Sequence, residues 1–166
     1  MDLDAYRHSA TITIDRPPEE IYDLLVDVSR MGTWSPVCTG GRYDDDSRDW
    51  FTGTNAIGDT TWETRCRVVT AERGREFTFV NHGVAGRYPM VRWGFVLEPS
   101  PSGGTKVTQT WEVLPGYADG FAEEENPGMT LEQRLDFMKA MAESGMPETL
   151  ANIKHDAEQA PSAARR

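Results

Sequence analysis

Hydrophobic and polar residues alternate with a period of two through much of this chain. From Ala5 to Asp15 and from Thr60 to Ala71, polar or charged residues occupy every second position. Alternation of this kind predicts half-buried strands in an antiparallel sheet with one face toward water. The same spacing predicts further strands at Phe77–Phe79, Val91–Leu97 and Val107–Val113.

A helical period replaces the alternation in two regions. After two prolines and two acidic residues, the segment from Ile21 to Val28 has its apolar residues on one helix face, which predicts a short helix. A second short helix is predicted to follow before Pro36. From Thr130 onward the pattern predicts a long C-terminal helix, which Pro147 should kink or restart. The stretch from Leu114 to Met129 is rich in glycine and proline, and it predicts a long loop that could gate a site.

These elements define one architecture. Short links between consecutive strands require antiparallel pairing, and the apolar stripe of the last helix matches the apolar face of the sheet. We therefore predict an α+β domain over residues 1–158, in which a curved antiparallel sheet of about seven strands wraps around the long C-terminal helix. Two short helices follow the first strand, and residues 159–166 are expected to form a flexible tail.

Several motifs resemble one known superfamily. The segment Ile14–Tyr22, with Leu25–Asp27 and Trp34–Pro36, resembles the opening of the SRPBCC superfamily, in its polyketide cyclase/dehydrase and lipid-transport group (START/Bet v 1-like). Trp93–Pro99 and Gly104–Thr108 resemble its penultimate hairpin. The resemblance implies a helix-grip fold with a deep cavity between sheet and C-terminal helix. Members bind lipids, sterols, hormones or polyketides, and some catalyse cyclisation or dehydration.

The inward-facing residues of these elements are the candidate lining of such a cavity, although each one alone could simply fill the core. Gln109 stands among apolar neighbours, so its amide needs a ligand, a water, Thr64 or a backbone group as partner. Arg134 could meet a ligand carboxylate or pair with a nearby acid. The candidate binding residues are Trp62, Thr64, Cys66, Phe77, Phe79, Trp93, Phe95, Gln109, Trp111, Arg134, Leu135, Met138 and Met141.

The charge of the chain excludes several partners. The 166 residues carry a net charge of −10, and residues 119–158 hold ten acids against three bases. Such a surface repels phosphate, so we expect no binding to nucleic acid or to anionic membranes. No apolar run is long enough for stable insertion into a membrane.

Metal and cofactor motifs are missing from the sequence. The three histidines are far apart, the acids at residues 44–49 lack the glycine and glutamate of a calcium loop, and no nucleophile elbow, phosphate loop or dinucleotide motif occurs. We therefore expect no metal and no cofactor. Cys38 and Cys66 form no CxxC pair, which fits two reduced thiols in a cytoplasmic protein.

The leading hypothesis is a non-catalytic carrier or sensor of a small hydrophobic molecule. The alternative is a polyketide aromatase/cyclase-like enzyme, in which Thr64, His82, Tyr88 and Gln109 would orient carbonyls or move protons. A second alternative is a protein-interaction module, cochaperone-like or toxin-like. The sequence identifies no catalytic residue, and it leaves the ligand and the oligomeric state open.

Overall fold

The computed structural model describes residues 1–160, which form a seven-stranded antiparallel sheet and four α-helices. The strands are β1 (Arg7–Ile14), β2 (Cys38–Tyr43), β3 (Trp50–Ile57), β4 (Thr60–Glu72), β5 (Glu76–Asn81), β6 (Val91–Pro99) and β7 (Thr105–Val113). They lie in the order β1-β7-β6-β5-β4-β3-β2, and every neighbouring pair is antiparallel. Strands β2 to β7 therefore form a meander, and β1 adds to its far edge.

The helices are α1 (Pro18–Leu25), α2 (Met31–Trp34), α3 (Gly116–Ala122) and α4 (Leu131–Gln159), with 3-10 turns at Leu3–Ala5 and Val28–Arg30. Thr130 and Gln133 form a reciprocal capping box that fixes the start of α4. The sheet of seven strands, the two short helices after β1 and the long C-terminal helix confirm the predicted helix-grip fold.

The core consists of two hydrophobic clusters on the concave face of the sheet. One joins α1 and the C-terminal half of α4 to the sheet, and includes Leu25, Phe77 and Ile153. The other joins α3 and the N-terminal half of α4 to the sheet, and includes Trp111 and Leu135. Because α4 contacts β1, β7 and α2, it covers the sheet unevenly and leaves space against β3 to β6.

The loop predicted from Leu114 to Met129 is wrong in its first half, because α3 lies there. Tyr117 and Phe121, one helical turn apart, both pack against the second cluster. In the sequence, Gly116 and Gly120 suggested a flexible loop, but in the structure they allow α3 to pack closely against Pro89 and Met90. A Cβ on Gly116 would lie 2.4 Å from the carbonyl oxygen of Pro89, and one on Gly120 would lie 2.9 Å from Met90.

Of the two outcomes expected at Pro147, a kink or a restart of the last helix, the restart is wrong, because α4 is continuous from Leu131 to Gln159. Proline removes one backbone hydrogen bond, but Pro147 is exposed, and packing of the buried Met146, Thr149 and Leu150 on either side holds the helix in place. Of the predicted tail, Gln159 is still helical, whereas residues 161–166 lie outside the described residues.

Candidate functional site

A cavity of about 810 Å³ lies between the concave face of the sheet and α4. Strands β3 to β7 form one side of it, and the N-terminal half of α4 with α2 forms the other. Its volume lies within the range of roughly 300–1,000 Å³ that is typical of small-molecule sites.

Strand register arranges the aromatic lining in rows. Trp111 on β7 is paired with Trp93 on β6, and Trp93 is paired in turn with Phe79 on β5. Alternation points all three toward α4, because residues directly opposite each other on neighbouring antiparallel strands share a face. A second row runs from Gln109 on β7 to Phe95 on β6.

The structure brings most of the candidate residues together around this cavity. Those that line it are Trp62, Thr64, Cys66, Phe79, Trp93, Phe95, Gln109, Trp111, Arg134, Met138 and Met141. Phe77 and Leu135 do not line it. Phe77 lies at the end of β5 that α1 covers, and Leu135 is buried in the second cluster beside a separate cavity of about 210 Å³.

Sequence reasoning missed the contribution of β3. Phe51, Gly53 and Asn55 all line the cavity. A phenyl ring, a residue without a side chain and an amide differ too much in size and polarity to give an apolar alternation. It also missed Tyr117, whose only signal was the spacing to Phe121. Further residues on α4 that sequence reasoning missed are Phe137, Ala142, Met146 and Thr149.

The polar groups inside the cavity differ in how well they are satisfied. The Asn55 side-chain nitrogen donates to the Thr64 hydroxyl at 3.4 Å, and the Thr149 hydroxyl donates to the Gly145 carbonyl at 2.9 Å. In contrast, Oε1 of Gln109 is buried and has no hydrogen-bond partner among residues 1–160.

Both cysteines line the cavity as free thiols. Burial raises the pKa of Cys66 to about 12, and burial likewise raises the pKa of Cys38. Since only the thiolate is a good nucleophile, these side chains act at neutral pH as small apolar groups.

His82 also borders the cavity, but its ring packs against Trp50 at a centroid distance of 5.0 Å. Burial, and then the charge of Arg67, lower its pKa below the ordinary value of 6.5. The imidazole is therefore neutral at pH 7. In the described part of the chain, no group of three or more His, Cys, Asp or Glu side chains is placed to hold a metal ion.

The cavity opens to solvent where large hydrophobic residues of its lining are exposed. Ile57 at the end of β3, Val84 on the β5–β6 loop and Phe137 on α4 are 41%, 71% and 47% exposed. The mouth of the cavity therefore lies between these three elements, and apolar side chains form part of its rim.

Ion pairs bridge the elements beside this opening. Glu123, just after α3, forms a salt bridge with Arg87 at 2.5 Å and accepts a hydrogen bond from the Tyr88 hydroxyl at 2.6 Å. Glu124 binds Arg134 on α4 through two bonds of 3.2 and 3.1 Å. We call these five residues the mouth clasp. It connects the β5–β6 loop to α4 through the end of α3.

None of the helices within residues 1–160 combines the length and the hydropathy needed to cross a bilayer. Many charged side chains of the described residues form exposed ion pairs, such as Arg73–Asp23 and Arg92–Glu112.

Solved structures of related proteins share this fold. The Polyketide_cyc-like protein Cgl2372 from Corynebacterium glutamicum is 31% identical, with a TM-score of 0.64 over 92% of this chain and 91% of that one. The Zhui aromatase/cyclase from Streptomyces sp. R1128 is 15% identical, with a TM-score of 0.68 over 95% and 96%. The di-domain ARO/CYC StfQ of the steffimycin biosynthetic pathway is 13% identical, with a TM-score of 0.66 over 93% and 51%.

At 15% and 13% identity, the last two similarities concern the fold alone. No protein with a curated description matches the sequence. The sequence profile of the family described as "Polyketide cyclase / dehydrase and lipid transport" matches residues 6–158, which confirms the resemblance seen in the motifs. This chain therefore belongs to the polyketide cyclase/dehydrase and lipid-transport family.

Proposed function

We propose that this protein binds a small hydrophobic molecule, such as a lipid, a polyketide or another aromatic compound, in the cavity between the sheet and α4. It acts as a carrier or sensor of that molecule. The observation that carries the proposal is the cavity of about 810 Å³, which contains the side chains of Trp62, Trp93 and Trp111.

The composition of the lining supports an apolar ligand. Indole rings face Met138, Met141 and Met146 across the cavity. Thioether side chains are unbranched and polarisable, so they adapt to the shape of an apolar guest. Large aromatic surfaces favour ring systems, because stacked and edge-on contacts contribute beyond the area that they bury.

The titratable groups favour binding over covalent chemistry. The two thiols are held protonated by burial, and the mouth clasp pairs each of its carboxylates with an arginine. Two unpaired cysteines also agree with the reducing cytosol as the proposed location.

Cyclisation of a polyketide is the second candidate, and the family description favours it. A neutral His82 could accept a proton there, and Gln109 could orient a carbonyl. The two candidates differ in the fate of the ligand, since a carrier returns it unchanged and a cyclase returns it dehydrated or cyclised.

A pair of variants on α4 tests the cavity directly. Ala142 is buried and lines the cavity, whereas Ala140 is exposed on the outer face of the same helix. Ala142→Phe places a ring in the cavity, and Ala140→Phe adds the same ring to the surface. The probe is N-phenyl-1-naphthylamine, a neutral dye whose emission rises in apolar surroundings.

We expect the wild-type protein and Ala140→Phe to bind the dye with equal affinity, and Ala142→Phe to lose at least tenfold, because the added ring occupies the space of the dye. Unaltered binding by a folded Ala142→Phe protein would contradict the proposal. If no dye binds to any of the three proteins, the protein-interaction alternative gains support.

A further inference from the structure

Gln109 occupies an unusual position for a polar side chain. It lies in the middle of β7, points inward and is only 5% exposed. Its partners on the neighbouring strands are Ala10 and Phe95, and the residues that share its face on β7 are Val107 and Trp111. Of these side chains only Trp111 carries a hydrogen-bond donor, its indole N–H, and within residues 1–160 neither this group nor any other donates to Oε1 of Gln109.

Two other uncharged polar side chains of the lining, Asn55 and Thr149, have partners in the protein, whereas Nδ1 of His82 at the border of the cavity is buried without one. Asn55 bonds to Thr64, and Thr149 bonds to the backbone of its own helix. Native proteins pair nearly all buried polar groups, because an unpaired one carries a desolvation penalty. One unpaired amide on the lining of a cavity therefore indicates a partner that comes from the cavity itself. Rotation of the amide by 180° lets it offer either a donor or an acceptor.

Charge limits what that partner can be. Every charged side chain among the described lining residues belongs to the mouth clasp, namely Arg87, Glu123, Glu124 and Arg134. Residues 1–160 place no cationic side chain in the inner part of the cavity that could neutralise a carboxylate or a phosphate there. At the mouth, both arginines already have carboxylate partners, which would repel an anionic ligand.

From this arrangement we infer the class of ligand, an inference that rests on the proposed function. The ligand is neutral and ring-containing, and it carries a hydroxyl or carbonyl oxygen at its inner end. Its rings contact Trp93 and Trp111, and its oxygen exchanges a hydrogen bond with the amide of Gln109. Gln109 is thus the residue that distinguishes an oxygenated ligand from a hydrocarbon of the same shape.

Three probes of one shape test this inference: 2-naphthol, 2-methylnaphthalene and 2-naphthoate. Their dissociation constants are measured by equilibrium dialysis for the wild-type protein, for Gln109→Leu and for Thr149→Val. Thr149→Val is the matched control, because it removes a hydroxyl that also lines the cavity but already has a partner. Far-UV circular dichroism and urea unfolding verify that each variant is folded.

The wild-type protein should bind 2-naphthol more tightly than 2-naphthoate. The preference for the hydroxyl group is measured by the dissociation constant of 2-methylnaphthalene divided by that of 2-naphthol. Gln109→Leu should reduce this ratio by about three- to tenfold, the usual contribution of one hydrogen bond. It should unfold at the same or a higher urea concentration than wild type, because it removes an unpaired buried amide. Thr149→Val should leave the ratio unchanged.

Two results would overturn the inference while the proposed function stands: a ratio that Gln109→Leu does not alter, or tightest binding of 2-naphthoate. Failure of the wild-type protein to bind any of the three probes would overturn the proposed function together with this inference.

Discussion

Replacing Trp111 by alanine should produce the largest loss of stability of any single change in the lining. Trp111 is 2% exposed and belongs to the second core cluster. A tryptophan buries about 150–250 Å². At about 25 cal/mol per Å², this corresponds to an upper bound of about 4–6 kcal/mol.

The actual loss should lie below this bound, because the unfolded chain already buries part of its apolar surface. We expect about 3 kcal/mol, at the lower end of the measured range for Trp→Ala substitutions. For a chain of this length the melting temperature should then fall by about 6–12 °C.

Urea unfolding followed by far-UV circular dichroism measures this change. The control is Arg67→Ala on β4, whose exposed side chain points away from the cavity and should alter the free energy of unfolding by about 0.5 kcal/mol or less. If Trp111→Ala were as mild as Arg67→Ala, or if the arginine variant were the more damaging one, the assignment of the two sheet faces would be inverted.

Three further predictions concern the thiol, the clasp and the helix. Because burial raises the pKa of Cys66 from 9.0 to about 12, the unfolded chain releases this proton first as the pH rises above 9, so the native state loses stability. Between pH 7 and pH 10, urea melts of wild type should lose about 1.4 kcal/mol more than those of Cys66→Ala, and parallel profiles would show that the thiol is not buried. In stopped-flow experiments, the double variant Glu123→Gln/Glu124→Gln should release a bound dye severalfold faster than wild type, and its release rate should lose most of its dependence on salt concentration. The control Glu143→Gln/Glu148→Gln removes equal charge outside the clasp and should show neither effect. Equal release rates in the two double variants would mean that the clasp does not gate the cavity. Deletion of α4 uncovers the concave face of the sheet and should abolish cooperative melting, whereas a truncated monomer that melts sharply would disprove the helix-grip packing.

The strands that the sequence revealed best are those whose inward residues fill space. On β6 and β7 most inward residues are apolar, and on β4 the inward residues alternate with Glu63, Arg65 and Arg67, so alternation alone identified each strand and its buried face. On β3, Gly53 and Asn55 border the cavity and need not be large or apolar. The alternation was therefore weak on β3, because a residue that lines an empty space is under less pressure to be hydrophobic.

Other features depended on contacts between distant segments. Phe77 and Phe79 have the same alternation, yet only Phe79 faces the cavity, because α1 packs over the end of β5 that carries Phe77. The glycines of α3 resembled loop residues until its docking against Met90 and Pro89 explained them. The mouth clasp joins residues 87 and 88 to residues 123, 124 and 134, and no local pattern reports such pairing.

Mass spectrometry of the small molecules that accompany the purified protein tests the central claim most directly. The account predicts that organic extraction of wild type releases a neutral, ring-containing compound in near-stoichiometric amount. Ala142→Phe, purified in parallel, should release little of it, because the added ring fills the cavity. Two results would contradict the claim. One is the release of equal amounts of a compound from both proteins. The other is an extract of wild type that contains no compound, although the protein was exposed to the full metabolite pool of its own cell.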